Sequence, residues 1–201
     1  MSRAGDVAEN PVTGERVVRV GTEDSGGELL VAGLFVGPGG AGAGEHVHPA
    51  IDEWFTVLEG RVGSRLDGRE SKAPVGERLH VPPGTAHDWW NAGWEEAHVI
   101  VEVSPAARFE EAVSNTFGQV RDGKTNAKGM PNLLQVALFA REFEDVLYFT
   151  SPPRPVQRAL FAVLAPVARL LGYKGSYPEY LGQPPSERVE VEPWPGRGVW
   201  G

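Results

Sequence analysis

The first half of the chain is built of short runs rich in β-branched and aromatic residues: Arg16–Val20, Leu29–Val36, Glu53–Leu58, Arg61–Leu66, Arg78–Val81 and Ala97–Val103. Runs of this length and composition predict strands. Glycine and proline clusters at Pro38–Gly40, Gly60, Asp67–Gly68, Pro82–Gly84 and Ala92–Gly93 punctuate them. Many short strands with frequent turn signals predict a sandwich or barrel. Asp67–Gly68, between two strand-like runs, marks a tight hairpin whose turn requires positive φ angles.

The texture changes after Pro105. Phe109, Val113 and Phe117 recur every four residues within Ala106–Phe117, and Leu133–Val146 carries Leu134, Ala137, Leu138, Phe139, Phe143 and Val146 at helical spacing. Asn132, following Pro131, is positioned to cap the second of these helices. Ser151–Pro155 breaks the chain, and Val156–Leu171 forms a further amphipathic stretch ending near Gly172. The plan expected from this pattern is a β-barrel over residues 1–105, a helical extension over 106–175 packed on the barrel or at a dimer interface, and an irregular tail over 176–201. Phe139, Phe143, Leu160 and Leu164 read as helix packing in preference to a lid. No repeat of fixed period is visible.

A chain of 201 residues suits one domain with appendages. Its 19 basic and 27 acidic residues leave a formal charge of −8, which argues against a nucleic-acid partner needing a basic face. The densest basic stretch, Arg65–Lys72, is interrupted by Asp67 and Glu70 and reads as a solvated hairpin. With no cysteine, disulfides, thiolate metal sites and cysteine nucleophiles are excluded. The opening MSRAGDVAEN lacks the apolar core of a secretory signal. The most apolar stretch, Ala159–Leu171, is broken by Pro166 and Arg169 and is shorter than the roughly 20 residues of a membrane span. A soluble cytoplasmic protein with no membrane partner is expected.

Within this frame, His46 and His48 stand two apart, so on a strand their imidazoles share a face. Glu53 follows a turn-prone His48–Pro49 step, and His87 follows Pro82, Pro83 and Gly84. Three imidazoles and one carboxylate suit a single divalent transition metal: iron, manganese, nickel, copper or zinc. Asp52 is the competing carboxylate. His80 and His98 stand outside both patterned stretches, and His80, alternating with Leu79 and Val81, is expected to face outward. The Gly37–Gly44 run lacks the Lys-Ser/Thr ending of a phosphate loop, and no nucleophile elbow is visible.

The two stretches resemble the paired motifs of the cupins. G-x5-HxH-x4-E-x6-G is matched by Gly40, His46, His48, Glu53 and Gly60, and G-x5-PxG-x2-H-x3-N by Gly76, Pro82, Gly84, His87 and Asn91. The resemblance covers roughly residues 10–105, and the whole chain is similar to bacterial single-domain cupins with a C-terminal helical extension carrying segments like Asn126–Gly129. It implies a mainly β fold, a double-stranded β-helix (jelly-roll) barrel with an α-helical extension, and a metal held by His46, His48, Glu53 and His87. The motif spacings favour Glu53 over Asp52. Resemblance to dioxygenase cupins implies an oxygen-dependent oxidoreductase acting on a small organic molecule, with Glu53 also serving as a catalytic proton acceptor. The alternatives are a redox-neutral isomerase, cyclase or decarboxylase, and a non-catalytic binding protein. Phe55 and Trp89 are expected to line the substrate cavity with Asn91, for which a structural hydrogen-bonding role competes; Trp54 and Trp90 read as core or interface aromatics. A homodimer is expected, since cupins commonly bury sheet edges in this way.

Overall fold

A computed structural model describes residues 4–21, 28–42, 44–106, 108–181 and 183–191. Residue 43 of the glycine-rich run and residues 192–201 of the expected tail lie outside the described residues. The barrel strands are β1 (Asp6–Glu9), β2 (Arg16–Gly21), β3 (Leu30–Val36), β4 (His46–Val47), β5 (Asp52–Glu59), β6 (Arg61–Leu66), β7 (Arg69–Pro74), β8 (Arg78–Val81), β9 (Ala86–Asn91) and β10 (Ala97–Ser104). Helices α1 (Phe109–Arg121) and α2 (Leu133–Glu142) follow, then β11 (Tyr148–Phe149), α3 (Arg154–Leu170) and β12 (Glu187–Arg188). The strands form two antiparallel sheets ordered β12-β1-β2-β3-β10-β5-β8 and β11-β4-β9-β6-β7. This is the expected mainly β jelly roll with C-terminal helices.

Local chemistry explains the turns. Asp67 and Gly68 have φ of 46° and 78°, so both central residues of the β6–β7 hairpin adopt the left-handed region that its primed turn demands. Asn132 caps α2 by accepting from the backbone N–H groups of Leu134 and Gln135. α1 ends at Arg121, four residues beyond its expected end, as Val120 finds a buried place in the core.

The helices share the barrel's core. Phe55, Val57, Val62, Val81, Val99, Val101 and Val103 from the strands pack in one cluster with Ala112 of α1 and with Phe143 and Val146 beyond α2. A second small cluster, Leu138 with Ala165 and Ala168, joins α2 to α3. The chain after α3 returns to the barrel. Tyr180 packs against Gly118 of α1, where a Cβ would come within 2.3 Å of its ring, and β12 pairs with β1.

The extension also completes the second sheet. β11 pairs with β4 so that Tyr148 faces Val47 and Phe149 faces His46. Without it, the two-residue β4 would be an unpaired edge, a liability in any sheet.

Candidate metal centre

β4 and β9 are antiparallel neighbours with His46 directly opposite His87. Cross-strand partners lie within side-chain reach, which brings together imidazoles separated by 41 residues of sequence. His48 follows two residues after His46 on the same face, and Glu53 enters from β5, opposite Val81 and Val103. All four side chains are buried, with exposures of 7% for His46, 2% for His48, 5% for Glu53 and 1% for His87.

The three ring systems are oriented by backbone carbonyls. His46 Nδ1 lies 2.6 Å from Gly44 O, His48 Nδ1 2.7 Å from Val146 O, and His87 Nδ1 3.1 Å from Thr85 O. A carbonyl can only accept, so each Nδ1 carries the proton and each Nε2 presents a bare lone pair. These lone pairs converge. His46 Nε2 and His48 Nε2 are 3.2 Å apart, and one ligand atom from each of the three histidines lies within 4.8 Å of the others. Glu53 Oε2 stands 3.2 Å from His87 Nε2 and 3.7 Å from His48 Nε2. Glu53 Oε2 and His87 Nε2 are buried with no hydrogen bond. Buried acceptors left facing one another are costly unless a cation satisfies them. The donor set therefore fits a divalent transition ion.

The electrostatics of His46, His48 and Glu53 agree with that fit, while His87, beside Glu53, has a proton for the ion to displace. Burial, then the neighbouring His87 and His48, pushes His46 down to about 4. Burial also lowers His48, against the pull of Glu53. For Glu53, burial acts upward, but His87, His48 and His46 together outweigh it and hold the carboxyl below its ordinary range. Burial acts downward on His87, yet Glu53 beside it leaves its pKa raised. Two neutral imidazoles and an anionic carboxylate are thus the states that metal binding needs.

The other expected residues separate cleanly. Asp52 turns to the outer face, where its Oδ1 meets His80 Nε2 at 2.5 Å and its Oδ2 accepts from Trp54 Nε1 at 3.2 Å. His80 stacks on Trp54 at 3.8 Å, and His98 stacks on Phe35 at 4.1 Å; neither joins the buried cluster. Phe55 and Trp89 line the cavity beside His46, His48 and Glu53, with ring centroids 5.6 Å apart. Asn91 is not brought to the cavity wall. Its Nδ2 donates to Val36 O and Glu95 O, each at 2.7 Å, and its Oδ1 accepts from Gly93 N–H at 2.8 Å, which closes the β9–β10 turn.

Sequence reasoning missed what the extension brings. Phe109 of α1 meets the His48 ring edge-on at 5.6 Å, and Phe139 and Leu147 form further cavity wall. The carbonyl of Val146, which orients His48, has no sequence signature because every residue carries one. The cavity is large, about 1020 Å³, mostly apolar near the histidines, and extends between the barrel and α1 as far as Glu15.

Glu15 is a second finding. Burial pushes its pKa up to about 7. A carboxyl raised from 4.5 to about 7 on folding contributes stability that is full below about pH 4.5 and lost as pH rises through about 7. Glu15→Gln is therefore expected to stabilise the protein at pH 8, by at most roughly 3 kcal/mol, and to change little at pH 4. Denaturant titration at the two pH values checks this, and an equal effect at both would contradict it.

Fold and site together define a jelly-roll barrel with a buried histidine–carboxylate cluster facing a deep cavity. Residues 34–103 match the Cupin domain family, and this segment of the chain is a cupin domain. It is 27% identical over 157 residues to "Probable oxidoreductase virH" of Hypocrea virens, covering 72% of this chain and 70% of that protein. It is 35% identical over 75 residues to "Polyketide synthase CurC" of Streptomyces cyaneus, covering 37% of this chain and 49% of that protein. Among solved structures, an RmlC-like cupin from Shewanella frigidimarina matches with TM-score 0.46 and 21% identity, over 55% of this chain and 93% of that one. Among the described residues, no helix is long and apolar enough to cross a membrane.

Proposed function

We propose that this protein binds one divalent transition metal through His46, His48, Glu53 and His87 and uses dioxygen to oxidise a bulky, largely apolar organic molecule. The observation that carries this reading is the convergence of bare Nε2 lone pairs and the unbonded Glu53 Oε2 beside a cavity of about 1020 Å³. That volume is at the upper end of small-molecule sites. When bound, such an ion supplies Lewis acidity and, for iron, manganese, nickel or copper, a path for electrons to dioxygen.

The chain's own residues do the rest. Phe55, Trp89, Phe109 and Phe139 form apolar walls that exclude water and offer ring faces to a planar substrate. Glu53, held anionic among the imidazoles, can accept the proton of an acidic phenol or enol seated beside it. Asn91 fixes the turn behind the site. The oxidoreductase and polyketide synthase names of the two relatives support an oxidative role on an aromatic or polyketone-like molecule.

The test is metal analysis of protein purified without an affinity tag, followed by oxygen uptake against a panel of phenols and β-diketones. Close to one ion per chain and metal-dependent oxygen consumption are expected, both lost on treatment with a strong chelator. Turnover undiminished under anaerobic conditions would remove the oxidative reading.

A further inference from the structure

The outward face of α3 is an apolar seam. Val156, Leu160, Val163, Val167 and Leu170 recur at alternating steps of four and three residues, with exposures of 52%, 37%, 70%, 47% and 88%. The opposite face, through Gln157, Phe161, Ala165 and Ala168, is buried and holds the helix on α2. Ala159, Ala162 and Pro166 are also exposed, and Arg158 and Arg169 are the exposed charges on this 17-residue helix, Arg154 being half-buried. Stability of the single chain does not explain such a surface. Solvated helix faces are ordinarily polar.

We infer that α3 is a homodimerisation seam, packing antiparallel against α3 of a second copy about a two-fold axis near Val163. Alternation of three and four is the repeat that keeps one apolar stripe in register with a neighbouring helix crossing at a shallow angle. The same stripe on both copies is self-complementary under a two-fold rotation. The seam with Leu171 exposes on the order of 600 Å² of apolar side chain, the top of the range that monomers leave contiguous and the larger part of the ~800 Å² per partner of a standard interface.

Charge selects the arrangement. α3 contains no acidic residue, so a parallel pair would set Arg158 on Arg158 and Arg169 on Arg169. An antiparallel pair sets Leu170 of one copy by Val156 of the other and Arg169 beside Arg158, where Glu144, which already accepts from Arg154 and Arg158, lies close enough to offset the two like charges. An anionic membrane is the poorer partner: the chain carries −8, and Glu144 offsets part of this helix's positive charge.

Sedimentation velocity on the full chain tests this independently of the metal and of turnover. The expected mass is twice the 21.7 kDa of one chain. The double variant Val163→Glu, Leu170→Glu is expected to weaken association about 100-fold or more, with unchanged circular dichroism because both side chains are solvent-exposed in one copy. Because the chain has no cysteine, Val163→Cys is expected to form a disulfide-linked dimer on oxidation, and Val156→Cys is not. A monomeric wild type, a dimer that persists in the double variant, or crosslinking at position 156 in place of 163 would overturn the assignment. So would a wild type that stays monomeric and floats with phosphatidylcholine–phosphatidylserine vesicles.

Discussion

His87→Ala is expected to lose stoichiometric uptake of a divalent transition metal, its affinity falling by at least about 100-fold, while the barrel stays folded. His87 supplies a bare Nε2 from β9, directly across from His46 on β4, and carries the contact with Glu53 Oε2 at 3.2 Å. Removing it takes one of the four donors and leaves a gap beside Glu53, so the remaining two imidazoles and carboxylate are no longer held in the geometry that closes on one ion. The fold does not depend on this ring, because the core is built from Phe55, Val57, Val99, Val101 and their apolar neighbours. His48→Ala is expected to behave alike. Equilibrium competition against a chromogenic chelator measures the loss, and circular dichroism checks the fold. Wild-type metal content in both variants would show that these rings do not hold the ion.

Phe143→Ala is expected to cost about 3–5 kcal/mol of stability, a large share of the roughly 5–15 kcal/mol that folds a domain. Phe143 is fully buried, lies 4.8 Å from the Phe139 ring, and has the Arg108 guanidinium 4.7 Å from its own ring centre. It also anchors the site. Val146 N–H donates to the Phe143 carbonyl at 2.9 Å, and the Val146 carbonyl in turn fixes the His48 ring. Loosening this turn is expected to weaken metal binding by about 10–100-fold in molecules that remain folded. Urea unfolding and metal competition on the same variant separate the two effects. A variant as stable as wild type would contradict a core shared between barrel and helices.

These expectations depend on features of uneven legibility. Arg61–Leu66 and Arg78–Val81 could be bounded from sequence because β-branched and apolar residues stand between clear turn signals. β7 could not, since Arg69–Pro74 is a polar edge strand with one buried residue, Ala73. β9 is hidden for the opposite reason. His87, Trp89 and Asn91 are its inward residues, so the usual apolar-in alternation is replaced by the chemistry of the site. β4 and β11 are two residues each, too short for any periodicity to register. Glu15 gave no signal, because its environment comes from chain folded over it.

The linear pattern carries the barrel, the positions of its main strands along the chain, and four side chains whose type and spacing suit one metal ion. Strand periodicity and turn chemistry act over a few residues, so they survive in the linear pattern. Three-dimensional packing turns Glu53 inward and pairs Asp52 with His80, as the motif spacing favoured, because adjacent strand residues face opposite ways and register sets which is buried. It alone showed that the helical extension closes the sheet at β4, roofs the cavity with Phe109 and Phe139, and orients His48 through a backbone carbonyl. Those contacts join residues about a hundred positions apart, and no local pattern encodes them.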